Sequence, residues 1–183
     1  MSINLFKTIK EGDSMLDLIK NIISNLNFYL EHMDFFNNIG YSKEELINYK
    51  EKLDRVFSQY IRLRDMIGNT RTFQCISCGK IKPINQADCG HYINRQHMAT
   101  RFSEMNCNAQ CRSCNRFDEG NMQGYRRNLV WKHGENKVLL LESQKYETRK
   151  YTEFEYKAMI EYYKKEVKRL LKEKGLDISC LTK

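Results

Sequence analysis

Between Cys75 and Asn115 the chain reads CISCGKIKPINQADCGHYINRQHMATRFSEMNCNAQCRSCN, and its outer cysteines fall into two C-x-x-C pairs, Cys75/Cys78 and Cys111/Cys114. Thiolates are soft ligands, and a zinc ion takes four of them in a tetrahedron, a set that two such knuckles supply. The spacing reads as a structural Zn²⁺ site on Cys75, Cys78, Cys111 and Cys114. A redox C-x-x-C needs only one motif, opening a helix in a thioredoxin-like βαβ unit, and no such unit is present. The interval between the knuckles is longer than in a simple zinc ribbon, so something is built inside the loop that the metal closes. That loop carries Asp88, His91, His97, Asn106 and Asn115, with Arg95, Arg101, Arg112 and Arg116 interleaved.

These residue types suit phosphodiester hydrolysis. The reaction needs a base for the attacking water and a hard cation to neutralise charge developing on the phosphate and the leaving oxygen. A neutral imidazole and an oxygen-ligated Mg²⁺ meet both needs near neutral pH. The plainer readings are a structural or zinc-ligating His91 and a helix-capping Asn115.

The pattern C-x-x-C, then D-x-G-H-Y, then N-x-x-x-x-C-x-x-C-N resembles the HNH (ββα-metal) nuclease superfamily. Within it, DCGHYINRQHMATRFSEMNCNAQCRSCNRFDEGN, with YIRLRD upstream, is similar to the phage NinG/Rap recombination nucleases, the likeness running from Tyr60 to Leu129. The resemblance implies that His91 is the general base, that Asn106 orients it through the backbone, and that Asn115 is the final metal-binding position. Most HNH nucleases carry a metal-binding Asp or His directly before the base; here that position is Gly90. The nearest carboxylate, Asp88, is therefore assigned with Asn115 to a catalytic Mg²⁺ or Mn²⁺. The implied substrate is branched DNA, such as Holliday junctions and D-loops. Two rivals stand beside this reading: a catalytically silent zinc DNA-binding module, and a dimerising assembly protein in which zinc is only a staple.

Charge supports a polyanionic partner. The net charge is +8, and residues 62–132 hold 12 basic against 5 acidic side chains, whereas residues 1–61 hold 7 against 9. Arg62, Arg64, Arg95, Arg116 and Arg126 are the expected phosphate contacts, each neutralised phosphate adding affinity by counterion release; for Arg62 and Arg64 a solvated helix face that only packs the helix end is an equal reading. The opening MSINLFKTIKEGDS is interrupted by charge before a signal-peptide core can form, and no apolar run reaches transmembrane length, so a reducing cytoplasm with free thiols is expected. Cys89 and Cys180 receive no role; Cys107, four residues before Cys111, is the reserve ligand should the knuckle set not hold zinc.

The elements that must position these residues are helices on both sides and strands within. From Asp13 to Phe36, and again from Leu46 to Ile67, apolar residues alternate steps of three and four, which predicts two helices joined at Asn37–Gly40, with Ser42 and Glu45 as a capping box. They read as an antiparallel hairpin or, equally, as the seam of a homodimer. Between Thr72 and Tyr92 a short β-hairpin is expected to carry the first knuckle and His91, with Pro83 at its turn or edge. A helix from about Arg112, broken near Gly120, should carry Asn115 and run to Gly134. Val138–Leu141 reads as a short strand, Thr152 and Glu155 cap a last helix ending at Gly175, and the tail DISCLTK reads as loose. The expected class is α+β: a helical extension (1–68), a zinc-stapled ββα core (69–134) and a C-terminal strand/helix extension (135–183).

Overall fold

In this computed structural model residues 43–182 are described. The first heptad segment, Asp13–Phe36, and the Ser42 cap lie outside the described residues. The chain divides into two units, Met1–Ser42 and Lys43–Lys183. The second unit, which holds every described residue, is mixed α+β. In chain order it runs α1 (Lys43–Arg64), β1 (Thr72–Gln74), β2 (Ile81–Pro83), β3 (Ala87–His91), α2 (Met98–Arg101), β4 (Cys107–Cys111), α3 (Met122–His133), α4 (Glu135–Gln144) and α5 (Glu153–Lys174).

Helix α1 has Glu44 and Glu45 in its first turn and Arg62 and Arg64 in its last, a charge order that complements the helix dipole. Its apolar stripe, Leu53, Val56, Phe57, Tyr60, Ile61 and Leu63, is buried. The partner of that stripe is α5, which presents Tyr156, Ile160, Tyr163, Val167 and Leu170. Phe57 meets Tyr163 edge-on at 4.9 Å between centroids and Phe102 at 5.8 Å, a geometry that aromatic rings favour. The spacing of the α1 stripe gives its period but not its partner, because any apolar face in reach satisfies it. Helix α5 opens on the expected capping box, Thr152 with Glu155, and closes at Gly175 in the left-handed region.

Two antiparallel hairpins replace the single one expected. The first pairs β1 with β2, Phe73 opposite Lys82, and its connection is the first cysteine knuckle. Gly79 has φ +72, and its N–H donates to Cys75 O at 2.9 Å, closing the knuckle in a conformation that L side chains resist. Pro83 ends β2, where no ladder donor is needed. The second hairpin pairs β3 with β4, with His91 opposite Cys107 and Ala87 opposite Cys111. It brings the DCGH run to the second knuckle.

After β4 the chain makes a π-turn over Ser113–Phe117. It then breaks through Gly120 and restarts as α3, with Asn121 as N-cap. Val138–Leu141 is not a strand: it lies within α4, where Val138 and Leu141, one helical turn apart, bury against Tyr125, Leu129 and Ile93. A run of four apolar residues fits either element, and i, i+3 burial decided for helix. The tail is not loose either. Asp177 caps a 3₁₀ turn over Ile178–Leu181, Leu181 is buried, and Arg62 Nη2 donates to Leu181 O at 2.5 Å.

Helix α3 lies close on the first knuckle through Gly124, where a Cβ would stand 2.4 Å from Ser77 O and 2.7 Å from Asn121 Oδ1. Gly124→Ala is therefore expected to destabilise the protein by about 1–3 kcal/mol through overpacking, despite alanine's better helix propensity. Urea melting against wild type measures this; an unchanged midpoint would show that α3 can back away from the knuckle without loss.

Candidate functional site

The four knuckle cysteines converge: their sulfurs all lie within 4.8 Å of one another. Cys78 and Cys111 sulfurs stand 3.9 Å apart, close to the S···S edge of about 3.8 Å that a tetrahedron with Zn–S near 2.3 Å requires. The backbone N–H of Cys111 donates to Cys75 Sγ at 3.3 Å, and Asn121 Nδ2 to Cys114 Sγ at 3.8 Å, the kind of outer support that fixes ligating sulfur. Burial raises the thiols of Cys75 and Cys114 above the ordinary cysteine value. At Cys78 burial pushes the same way, but the Lys80 backbone N–H and the neighbouring thiols outweigh it and hold the group low. The cluster can hold a metal such as zinc, which would displace the remaining protons.

A second feature is a cavity of about 810 Å³ whose lining includes Asp88, His91, Arg62, Arg95, Asn115 and Arg116. These come from α1, β3, the loop after β3 and the π-turn, and they meet because β3 pairs with β4 and β4 runs into the second knuckle. His91 Nε2 lies 3.1 Å from Arg101 O. A carbonyl only accepts, so Nε2 carries the proton and Nδ1 keeps the free lone pair in the neutral ring. Burial pushes His91 below the ordinary histidine value and the Arg95 charge adds to this, so the ring is neutral at neutral pH.

Asp88 accepts from Asn115 Nδ2 at 3.1 Å and from Arg116, whose Nε and Nη2 reach its two oxygens at 2.6 and 2.7 Å. Carboxylate and carboxamide therefore stand side by side and offer oxygen ligands of the kind a hard cation takes. Arg62 also faces this cavity; burial lowers its pKa, the Asp88 charge opposes that, and its Nε has no hydrogen-bond partner among the described residues. Arg95 is exposed on the loop after β3.

Asn106 is fully buried. Its Nδ2 donates to Ile93 O and Thr100 O, both at 3.0 Å, and its Oδ1 accepts from Ile93 N at 2.7 Å. It ties the chain leaving His91 to the chain approaching Arg101, so its hold on the histidine runs through the backbone. Two of the arginines expected to bind phosphate lie elsewhere. Arg64 spends its donors on Asp65, Glu104 O and Cys107 O. Arg126 sits on α3, paired with Glu135 at 2.7 Å and Glu142 at 2.8 Å, beside a different cavity that includes Tyr92. His97 faces Lys145 O through Nδ1 at 2.9 Å, outside the His91 cavity.

Sequence reasoning missed the Arg101–Asp54 pair. Arg101 Nε and Nη2 meet Asp54 at 3.0 and 2.5 Å, and Arg101 Nη1 reaches Arg95 O at 2.7 Å. This buried arginine fixes the carbonyl that sets the His91 tautomer. Its only signal in the sequence was one more arginine inside the loop between the knuckles, which does not identify a partner 47 residues away.

Fold and site together define an α+β chain clasped by a four-cysteine cluster, with a histidine, a carboxylate and cavity-facing arginines drawn around one opening. Residues 42–173 match the family model described as Bacteriophage Lambda NinG protein, and the chain belongs to the NinG family. The protein ninG of Escherichia phage lambda is 32% identical over 121 residues, covering 66% of this chain and 56% of that protein. The protein ninG of Salmonella phage P22 shows the same identity and coverage, and that of Escherichia phage 933W is 31% identical over 66% of this chain and 57% of its own. The chain thus spans little more than half the length of these relatives. No solved structure matches it.

Proposed function

We propose that this chain is a metal-dependent endonuclease of the HNH (ββα-metal) type acting on branched DNA, with a structural zinc on its four knuckle cysteines. The observation that carries the reading is the single cavity in which a tautomer-fixed His91 meets the Asp88–Asn115 pair and arginines from three elements. In the proposed step a water oxygen attacks phosphorus, its proton passes to His91 Nδ1, and the bond from phosphorus to the leaving sugar oxygen breaks, that oxygen taking a proton from solvent water. Asp88 and Asn115 would hold a Mg²⁺ or Mn²⁺ ion, which supplies charge neutralisation at the phosphate and the leaving oxygen. Arg62, Arg95 and Arg116 hold the flanking phosphates. The order β3, β4, then helix, with a knuckle at the end of β4, supports the ββα comparison.

One observation favours the rival, a silent zinc DNA-binding module: Arg116 engages both oxygens of Asp88. In the enzyme reading the guanidinium shares that carboxylate with the cation or turns to phosphate, and Arg116 is exposed enough to do so. Incubating the full chain with a four-way junction, a D-loop and linear duplex, in Mg²⁺ and in EDTA, separates the two. The branched substrates are expected to be cut faster than the duplex, and only in Mg²⁺. Binding without cleavage of any of them establishes the silent module.

A further inference from the structure

Outside the four knuckle sulfurs, one other group of ligand atoms converges among the described residues. The sulfurs of Cys89 and Cys107 and a ring nitrogen of His91 all lie within 4.8 Å of one another. The strand register accounts for this. Cys89 and His91 are two apart on β3 and share a face, and Cys107 on β4 is the direct cross-strand partner of His91. None of the three belongs to the knuckle cluster. Cys107 is fully buried, while Cys89 and His91 line the cavity, so the group has a closed floor and an open mouth.

We propose that Cys89, His91 and Cys107 form a second, soft-metal site for a zinc-class ion, with its fourth coordination position opening into the cavity. Two thiolates and an imidazole favour zinc over magnesium, and three protein ligands with one open position is the arrangement of reactive rather than purely structural zinc. The outer contacts fit as well. A metal-bound histidine donates its other N–H to a carbonyl or carboxylate, and His91 Nε2 already faces Arg101 O at 3.1 Å, with Arg101 pinned in turn by Asp54. Cys107 Sγ, which as a thiol donates to the same carbonyl at 3.5 Å, gives up that proton when it ligates. The plainer alternative, cysteines packed as small apolar groups, accounts for the buried Cys107 but not for the half-buried Cys89 thiol and an imidazole nitrogen converging on it.

Occupancy has a consequence that rests on the nuclease reading: an ion bound to His91 takes the lone pair that would accept the water's proton. Zinc at this site would then switch cleavage off, and Mg²⁺, a hard ion, would not compete for it.

The test is a Co²⁺ titration of the full chain carrying a single equivalent of Zn²⁺, held by the knuckle cysteines, followed by its visible absorption and thiolate-to-cobalt charge transfer. Wild type is expected to develop both signals and saturate at one added equivalent. Cys89→Ser and His91→Ala, each still carrying its first zinc, should lose saturation at that equivalence. No charge-transfer signal in wild type overturns the site, and so does an unchanged signal in both variants, which would mean exchange into the knuckle cluster. A parallel cleavage assay in Mg²⁺ with one further equivalent of Zn²⁺ isolates the other claim: cobalt binding at the site without zinc inhibition overturns His91 as base and leaves the metal site standing.

Discussion

Cys75→Ser or Cys111→Ser is expected to lose the knuckle metal and, with it, most of the tertiary order of residues 72–133. Both cysteines are almost completely buried, and both belong to the same core cluster as Phe73, Ile84, Ala87 and Ala109. The strands they join are three to five residues long and form only two-stranded ladders, which are at best marginal in water on their own. Metal-binding free energy in so small a core is folding free energy, and structural zinc contributes about 10–16 kcal/mol, against a total stability of about 5–15 kcal/mol for a typical domain. Helices α1 and α5 bury their apolar stripes on each other, so helical signal should partly persist while the near-ultraviolet contribution of Tyr92 and Tyr125 is lost. Zinc content measured alongside the thermal melt decides the matter. A native-like melting transition in a zinc-free variant would refute the staple. Cys107 offers no substitute ligand, since it groups with Cys89 and His91 on the other hairpin.

The knuckles were legible in the sequence because their geometry is local: C-x-x-C fixes two sulfurs within one turn, and only the meeting of the two turns is tertiary. The Thr152–Glu155 box and the Gly175 cap were legible for the same reason. What stayed hidden depends on partners distant in the chain. The α1 stripe announced that a face would be buried, and only the fold shows α5 covering it. Arg126 looked like one more member of a basic patch until α4 supplied Glu135 and Glu142. Arg116 looked free until the π-turn carried it to Asp88, 28 positions earlier. Net charge counts Arg126 as available to phosphate although Glu135 and Glu142 hold it. The Cys89–His91–Cys107 group was invisible because it needs the β3–β4 register, and a shift of one residue would turn Cys107 to the other face. Val138–Leu141 shows the converse limit, a stretch too short for its period to distinguish strand from helix.

His91→Ala is expected to slow DNA cleavage by about a hundred- to ten-thousand-fold, the usual loss on removing a positioned general base. The side chain is well placed for the role: its Nε2–H is held by Arg101 O, its pKa is pushed down by burial and by Arg95, and it opens on the cavity that holds Asp88 and Asn115. The change should leave the fold and the knuckle zinc in place, because His91 is not one of the four converging knuckle ligands. DNA affinity should also hold, since the nuclease reading assigns phosphate contacts to Arg62, Arg95 and Arg116 and not to His91. On the same reading Asn115→Ala should act in the same direction, by removing the proposed ligand of the cation and one donor to Asp88.

The measurement that bears most directly on the nuclease reading is the single-turnover rate of four-way-junction cleavage in saturating Mg²⁺, taken for wild type and His91→Ala at matched knuckle-zinc content and matched DNA occupancy. A general base at His91 predicts measurable cutting by wild type and a rate at least about a hundred-fold lower for the variant. Equal rates for the two proteins would contradict it.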